Sequence, residues 1–444
     1  MKFLDGSEPL EVLEKFQDSE LKKALKNAKH SLMYENYKFD EEMAIAEMQT
    51  LPFLKASQYQ EMFWKHSEGI FLSKPRFWYC TSGTTGGAKW FPRTKKDMDA
   101  YVGFDFEKIR GKYFTKEEVV LNLTKPLPIG SGSVTLGLPS YVEEIPAYPH
   151  VFENALRLAE KRKPTAIFGV PSIIMTLFDL ELDGKRAMDF LKQVKKIVFL
   201  AEGVGTNRGI FEKLFKTKEI YETYGSVELG LIAYECGSHS GMHLNEHMGK
   251  IFEIIPQDEL KKEMKKEGYV PKALNVNHVG KGTVGELVAT VFWEVLPLFR
   301  YRTSDLVEVQ EGFSSCGCGC RYPRIKVLGR RDEMLKVGGE TIYAAWLHSA
   351  LKSDFSNGII IDYRMIMDER EKVLTFKLKA SSKNEERFAS EVKSKVFETI
   401  DKYSPGVLTR EFIEKGMLKM NFEYVKEFEK TPGVKPKKFL IKNK

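Results

Sequence analysis

The stretch "TSGTTGGAK", Thr81 to Lys89, places three Thr, one Ser, three Gly and one Lys in nine positions, directly after the short β-like run "RFWYC". Glycine has no Cβ and tolerates φ > 0, so Gly83, Gly86 and Gly87 let backbone N–H groups close on a ligand. The hydroxyls of Thr81, Ser82, Thr84 and Thr85 add donors and Lys89 adds a point charge, together a cradle for an anion. A Walker A loop is excluded, because Lys89 stands between Ala88 and Trp90 rather than after a spaced glycine and before Ser or Thr. Three more stretches carry side chains suited to nucleotide chemistry. "YGSVELG" sets Glu228 just past a β-like turn, "YRTSDL" sets Asp305 at a strand end, and "GRRDEMLKVGGETI" gathers Arg330, Asp332 and a Gly pair. Singly, each is also what an exposed turn, a strand-end carboxylate or a charged loop looks like. "GVGTNRG" misses the dinucleotide-binding spacing, since Arg208 occupies the third glycine position. A separate set could ligate metal: Cys236 and His243 flank a Gly-containing turn, and Cys316, Cys318 and Cys320 follow in "CGCGC". Thiolates and imidazole are zinc ligands, and four of these five would close a tetrahedral structural site; reduced free thiols are the plain alternative.

The elements that must position these residues can be read from periodicity. "LEVLEKFQDSELKKAL" has helical spacing, as does most of the first sixty or so residues. From the loop onward the pattern alternates: "EEVVLNLT" a strand, "VFENALRLAEKRKP" an amphipathic helix, "TAIFGVP" a buried strand, "SIIMTLFDLEL" a helix, "KKIVFLAEG" a strand. Such β-α-β alternation predicts a parallel sheet covered by helices. Beyond about Asn275 shorter strands ("VGELVATVFW", "FRYRTSDLVEV", "RIKVLGR") predict a small antiparallel β unit. The last hundred or so residues predict a separate α+β module, with "GIIIDYRMIM" and "KVLTFKLKA" as strands and "EERFASEVKSKVFETIDKY" as a helix. The join falls near "LGRRDEMLKVGGE", and Trp90 and Cys80 are expected to pack in the core.

In this order, behind a Thr/Ser/Gly-Lys loop, the stretches resemble the adenylate-forming superfamily of acyl-CoA synthetases, peptide-synthetase adenylation domains and luciferases. The resemblance spans residues 80 to 438 and implies a large N-terminal α/β domain over 1–331 and a smaller mobile α+β domain over 332–444, hinged at Asp332. It implies that Thr81 to Lys89, including Ser82, Gly83, Thr84, Thr85 and Gly86, hold the β- and γ-phosphates of ATP. Ala201, Glu202 and Gly203 would lie near the adenine, Tyr224, Gly225 and Ser226 would line the adenine and acyl sites, and Glu228 would coordinate Mg²⁺. Asp305 would grip the ribose hydroxyls, with Arg330 on the far side of the nucleotide. "GVKPKK" resembles the setting of the family's C-terminal catalytic lysine with one extra residue, Val434; Lys435 is the match and Lys437 the runner-up. The activity implied is attack of a carboxylate on the α-phosphate of ATP, followed by a domain rotation that lets coenzyme A take the acyl group. "LPFLKASQYQEMF", "KPTAIFGVPSII" and "YECGSHSGMHLNEH" followed by "CGCGCRYPRI" resemble the phenylacetate–CoA ligase and coenzyme F390 synthetase branch. That branch implies zinc on Cys236, His243, Cys316 and Cys318, with Cys320 outside the set and His239 and His247 as spare ligands. Two departures bear on specificity: Val227 stands where the family has a hydroxyl, and no Gly/Tyr-rich aryl-pocket stretch is recognisable in "LPIGSGSVTLGLPSYVEEIP". An adenylyltransferase of the F390 type, or acyl transfer to an acceptor other than CoA, is the alternative within enzymes; a nucleotide sensor without catalysis is disfavoured by Glu228, Asp305 and the C-terminal Lys.

Composition is compatible with this. The 444 residues are 42% hydrophobic and 30% charged, an ordinary globular composition long enough for two or three domains. A net charge of +7 suits an anionic ligand but is too mild and spread out for nucleic acid, and no basic recognition helix accompanies the cysteines. The longest apolar runs fall far short of the roughly 20 residues of a membrane span. The opening "MKFLDGSEPL" turns acidic too early for a signal peptide, so a cytoplasmic location is expected. The expected partners are a small carboxylic acid, ATP and CoA, with no membrane; dimers are common in the branch, so a homodimer is an expectation too.

Overall fold

The computed structural model of the protein describes residues 3–38, 40–66, 68–81, 89–100, 108–124, 138–139, 141–147, 151–177, 181–200, 208–337, 340–368, 371–382, 384–403, 418–428 and 438–442. The strands Val119–Leu123, Glu143–Pro146, Ala166–Gly169, Lys196–Phe199 and Glu219–Ser226 pair in parallel. Every position of "AIFG" is buried because both faces of these strands are covered. Ile167 packs in one apolar cluster with Leu156 and Phe211 of the helices Phe152–Arg162 and Arg208–Phe215, while Ala166 and Phe168 face a second cluster with Tyr113 and Phe114. The helix Phe152–Arg162 ends where Lys163 turns left-handed at φ 54, immediately ahead of Pro164, which cannot continue it.

At Ser226 the sheet changes character. Only three residues separate Glu219–Ser226 from Gly230–Glu235, too few for a crossover, so the pair is antiparallel. Met242–Leu244, Arg324–Arg330, Leu298–Glu311, Val284–Val291, Ile251–Pro256 and Leu274–Asn275 then extend the same 12-stranded sheet, each antiparallel to its neighbour. This corrects the expectation of a small β unit beginning near Asn275: the antiparallel half starts at Gly230 and is continuous with the parallel half. "GLIAYE" is buried at all six positions, so its periodicity carries no sign of strand direction.

The C-terminal part is α+β. Strands Lys419–Tyr424, Val373–Ser382, Gly358–Asp368 and Phe439–Lys442 lie side by side in that order. Their inward residues, Tyr363, Met365, Leu374 and Phe376 among them, form one core with Trp346 and Leu347 of the helix Ala344–Leu351 and with Val392 and Val396 of Glu385–Tyr403. Leu306 and Leu328 of the large sheet belong to that same apolar core.

Candidate active site

The anion-cradle stretch is the connection of a β-hairpin. Phe77–Cys80 pairs antiparallel with Trp90–Arg93, and Cys80 faces Trp90 across the last rung. The Thr81 N–H donates to the Lys89 carbonyl at 2.9 Å and the Lys89 N–H donates to Thr81 Oγ1 at 3.1 Å, so the two ends of the loop are pinned together. Ser82, Gly83, Thr84, Thr85 and Gly86 lie outside the described residues, as do Ala201, Glu202 and Gly203. The hairpin is seated by its aromatics: Phe91 stacks on Tyr59 at 4.4 Å between centroids, and Tyr59 OH donates to the Trp90 carbonyl at 2.7 Å. Cys80 is buried and Trp90 packs against the core, as their flanking positions suggest.

The short turn between the parallel and antiparallel halves carries Glu228. Gly225 is required there, because a Cβ would come within 2.7 Å of the Gly230 carbonyl oxygen. Ser226 Oγ accepts from the Leu229 N–H at 3.3 Å and Gly230 adopts φ +71, closing the turn. Glu228 is then held from three sides. Its carbonyl accepts from Trp293 Nε1 at 2.8 Å and Arg93 Nη2 at 2.9 Å, and its carboxylate Oε1 accepts from Tyr301 OH at 3.1 Å. Arg93 also lies 4.1 Å over the Trp293 ring, and burial followed by the Glu228 charge pushes the Tyr301 hydroxyl well above its ordinary pKa.

Asp305 and Arg330 face each other across adjacent strands. Arg330 Nη1 donates to Asp305 Oδ1 at 3.3 Å and to the Thr303 carbonyl at 3.0 Å, while Nε and Nη2 reach Asp332 at 3.1 and 3.3 Å. Tyr224 OH donates to the other oxygen of Asp305 at 2.5 Å. Burial raises the Asp305 pKa above the usual carboxylate value, opposed by Arg330 and the Tyr224 hydrogen bond. The structure therefore brings Tyr224, Asp305, Arg330 and Asp332 into one chain of polar contacts. Glu228 lies near enough for its charge to act on Asp305. Lys435 and Lys437 lie outside the described residues; Lys438, at the head of the last strand, ion-pairs with Asp362.

Sequence reasoning missed Arg93, Trp293 and Tyr301. Tyr301 opens the "YRTSDL" stretch, but only the pairing of distant strands places its hydroxyl on Glu228. Arg93 and Trp293 carry no local signal for their contacts with a turn more than sixty residues away from each.

A second cluster stands apart. The ligand atoms of Cys236, His243, Cys316 and Cys318 all lie within 4.8 Å of one another. Cys236 Sγ and Cys316 Sγ are 3.7 Å apart, close to the roughly 3.8 Å edge between two thiolates on a tetrahedral zinc. His243 Nδ1 meets the Tyr322 carbonyl at 2.9 Å, which turns Nε2 towards the thiols, 3.5 Å from Cys318 Sγ. The spare ligands are otherwise engaged. Both ring nitrogens of His247 are occupied, by the Leu4 carbonyl and Tyr234 OH at 2.7 Å each, and His239 Nδ1 meets Glu235 at 3.1 Å. Cys320 is buried beside Tyr234 and Gly6. Cys236 follows the far end of the strand Gly230–Glu235, on the order of 20 Å along the sheet from the Glu228 turn.

No family model and no curated protein matches the chain. Solved structures do. A 2-hydroxyisobutyryl-CoA ligase in the postadenylation state, in complex with its acyl-AMP, superposes with TM-score 0.73 at 17% identity over 97% of this chain and 90% of its own. The acyl acid amido synthetase AtGH3.15, in complex with 2,4-DB, gives TM-score 0.65 at 14% identity over 94% and 88%. The anthranilate CoA ligase AuaEII, in complex with anthranoyl-AMP, gives 0.51 at 16% over 81% and 65%. The fold is that of the adenylate-forming enzymes, a large mixed-sheet α/β domain with a smaller C-terminal α+β domain.

Proposed function

We propose that the protein activates a small carboxylic acid with ATP as an acyl-adenylate and transfers the acyl group to coenzyme A. The observation that carries this reading is the contact chain Tyr224–Asp305–Arg330–Asp332 beside the Glu228 turn, on a fold shared with ligases whose structures hold acyl-AMP. A buried carboxylate fixed by a tyrosine and an arginine suits the two hydroxyls of a ribose. Thr81 and Lys89, with the loop between them, would hold the leaving phosphates. Glu228 would hold Mg²⁺, whose charge offsets the repulsion between the acid and the α-phosphate. The lysine that stabilises the developing charge would be Lys435 of the C-terminal domain, and that domain would pivot at Asp332 between the two half-reactions. Cys236, His243, Cys316 and Cys318 suit a structural Zn²⁺ in number, donor type and spacing; the ion would pin strands and take no part in the chemistry.

Among the described residues no helix is long and apolar enough to cross a membrane; a cytoplasmic enzyme is the corresponding proposal. An aromatic or medium-sized acid is expected from the branch resemblance, with a homodimer as the assembly. The amido synthetase likeness supports a second reading, in which the acyl group passes to an acceptor other than CoA. AMP release from a panel of carboxylic acids with ATP and Mg²⁺, in the presence of CoA, of amines or of neither, tests both. CoA-dependent AMP release with at least one acid supports the ligase; release dependent on an amine instead supports the second reading. No AMP from any acid and acceptor removes both.

A further inference from the structure

The long strand Leu298–Glu311 is irregular where it matters. Its pairing with Val284–Val291 shifts register between Glu286 and Val288, opposite Ser304, and Ser304 adopts φ +59. That left-handed conformation is costly for a residue with a Cβ and needs outside support. The bulge turns the chain so that the next residue, Asp305, meets Tyr224 and Arg330.

The support is a set of four charges. Glu286, on the neighbouring strand, is fully buried, and its Oε1 accepts from the Ser304 N–H at 3.2 Å and from Arg302 Nε at 3.1 Å. Its Oε2 accepts from Arg302 Nη2 at 2.5 Å and Arg331 Nη1 at 2.7 Å. Glu263, on the helix Gln257–Lys265, takes Arg302 Nη1 and Nη2 at 2.6 and 3.0 Å and Arg331 Nη2 at 2.9 Å. The Arg331 N–H closes the ring on the Ser304 carbonyl at 2.8 Å. Two carboxylates and two guanidiniums balance, and each carboxylate receives donors from both arginines. Arg331 sits between Arg330, which touches Asp305, and Asp332.

We infer that Glu263, Glu286, Arg302 and Arg331 are positioning residues that hold Ser304 left-handed and thereby aim Asp305 and Arg330 at the nucleotide. They act through the backbone of Ser304 and of Arg331, the residues directly before Asp305 and after Arg330. The inference rests on the proposed reading of Asp305 as the residue that grips the ribose.

AMP binding by calorimetry tests it without knowledge of the acid. Glu286→Gln removes the charge that orders Ser304, and the AMP dissociation constant should rise about 10-fold, the effect of some 1.4 kcal/mol. Ser304→Gly on that background should recover most of the affinity, because glycine adopts φ > 0 unaided. A purely structural role for Glu286 would lower the melting temperature and leave nothing for Ser304→Gly to rescue. Glu263→Gln, at the more exposed rim of the network, serves if Glu286→Gln does not fold, with a several-fold weakening expected and the same rescue. Unchanged AMP affinity in a folded Glu286→Gln or Glu263→Gln protein, or weakening that Ser304→Gly leaves in place, overturns the inference alone. Failure of the wild-type protein to bind AMP overturns the nucleotide reading beneath it.

Discussion

Glu246 is a fully buried carboxyl outside the candidate site. Gln17 Nε2 of the first helix and Asn277 Nδ2 both donate to its Oε1, at 3.2 and 3.1 Å, while its Oε2 meets no donor among the described residues. Burial raises its pKa to about 8, with the two amide hydrogen bonds opposing and Glu14 adding repulsion. The folded protein thus holds a proton there that the unfolded chain releases near pH 4.5. Between those values the native state binds more protons, so this group's contribution to stability falls as pH rises and is lost by pH 8. Glu246→Gln keeps the shape and abolishes the titration. Urea unfolding at pH 6 and pH 8 should show a wild-type decline of up to about 1.4 kcal/mol per pH unit that the variant lacks, relative to its own background. Identical pH slopes for the two proteins would show that the carboxyl is ionised in the fold. Gly225 is the other residue with a sharp expectation. A Cβ 2.7 Å from the Gly230 oxygen must push the Glu228 turn apart, so Gly225→Ala should destabilise by about 1–3 kcal/mol and, if Glu228 serves as proposed, weaken Mg²⁺-ATP binding with it. A variant as stable as the wild type in denaturant would mean the turn relaxes freely.

At the scale of elements, the thiol–imidazole cluster ties the end of Gly230–Glu235 and the strand Met242–Leu244 to the 316–318 loop that leads into Arg324–Arg330. Protein purified without chelator should carry about one zinc per chain by elemental analysis, and Cys316→Ser with Cys318→Ser should lose it. The melting temperature should drop by several degrees while AMP affinity stays within about twofold, because the cluster lies far along the sheet from Glu228. Metal-free wild-type protein would remove the claim. How legible these elements were in the sequence follows from what is local. Asp305 and Arg330 were legible only through the order of motifs that resembles the adenylate-forming superfamily, since singly a strand-end carboxylate and a charged loop carry no such signal, and the zinc candidates were legible as side chains suited to that ion. Strand direction in the antiparallel half was not, since fully buried strands lose the period of two, and the three-residue turn after Ser226 carried the only cue. Arg93, Trp293 and Tyr301 converge on Glu228 from positions more than sixty residues away along the chain, which periodicity does not encode. Ser304 looked like an ordinary strand residue because backbone strain is set by the bulge opposite Glu286, not by its own type.

For the whole molecule, the question is what a pivot at Asp332 would have to break. On the near side, Gly329 lies directly under the helix Ala344–Leu351, and a Cβ there would meet Ala345 Cα and Cβ at 3.1 Å. On the far side, the helix is fastened to the residue after the pivot: the Ala344 N–H donates to the Glu333 carbonyl at 2.8 Å, and His348 Nε2 lies 3.3 Å from the Glu333 carboxylate. Helix and Glu333 would therefore move together and part from Gly329, uncovering apolar surface of Leu306 and Leu328. Tyr403 OH and Lys402 Nζ would leave Glu308, to which they bond at 3.0 and 3.2 Å. Gly329→Ala places a wedge at that seam, and at φ +147 the new side chain is strained as well. The backbone strain is common to both arrangements, but the clash with Ala345 disfavours only the present one, by about 1–2 kcal/mol, so the substitution should slow one half-reaction roughly 5- to 30-fold relative to the other. Acid-dependent pyrophosphate exchange reports the first half, and thioester formation from a supplied acyl-adenylate reports the second. Equal slowing of both halves would place the damage in the fold of the sheet and remove Asp332 as the pivot.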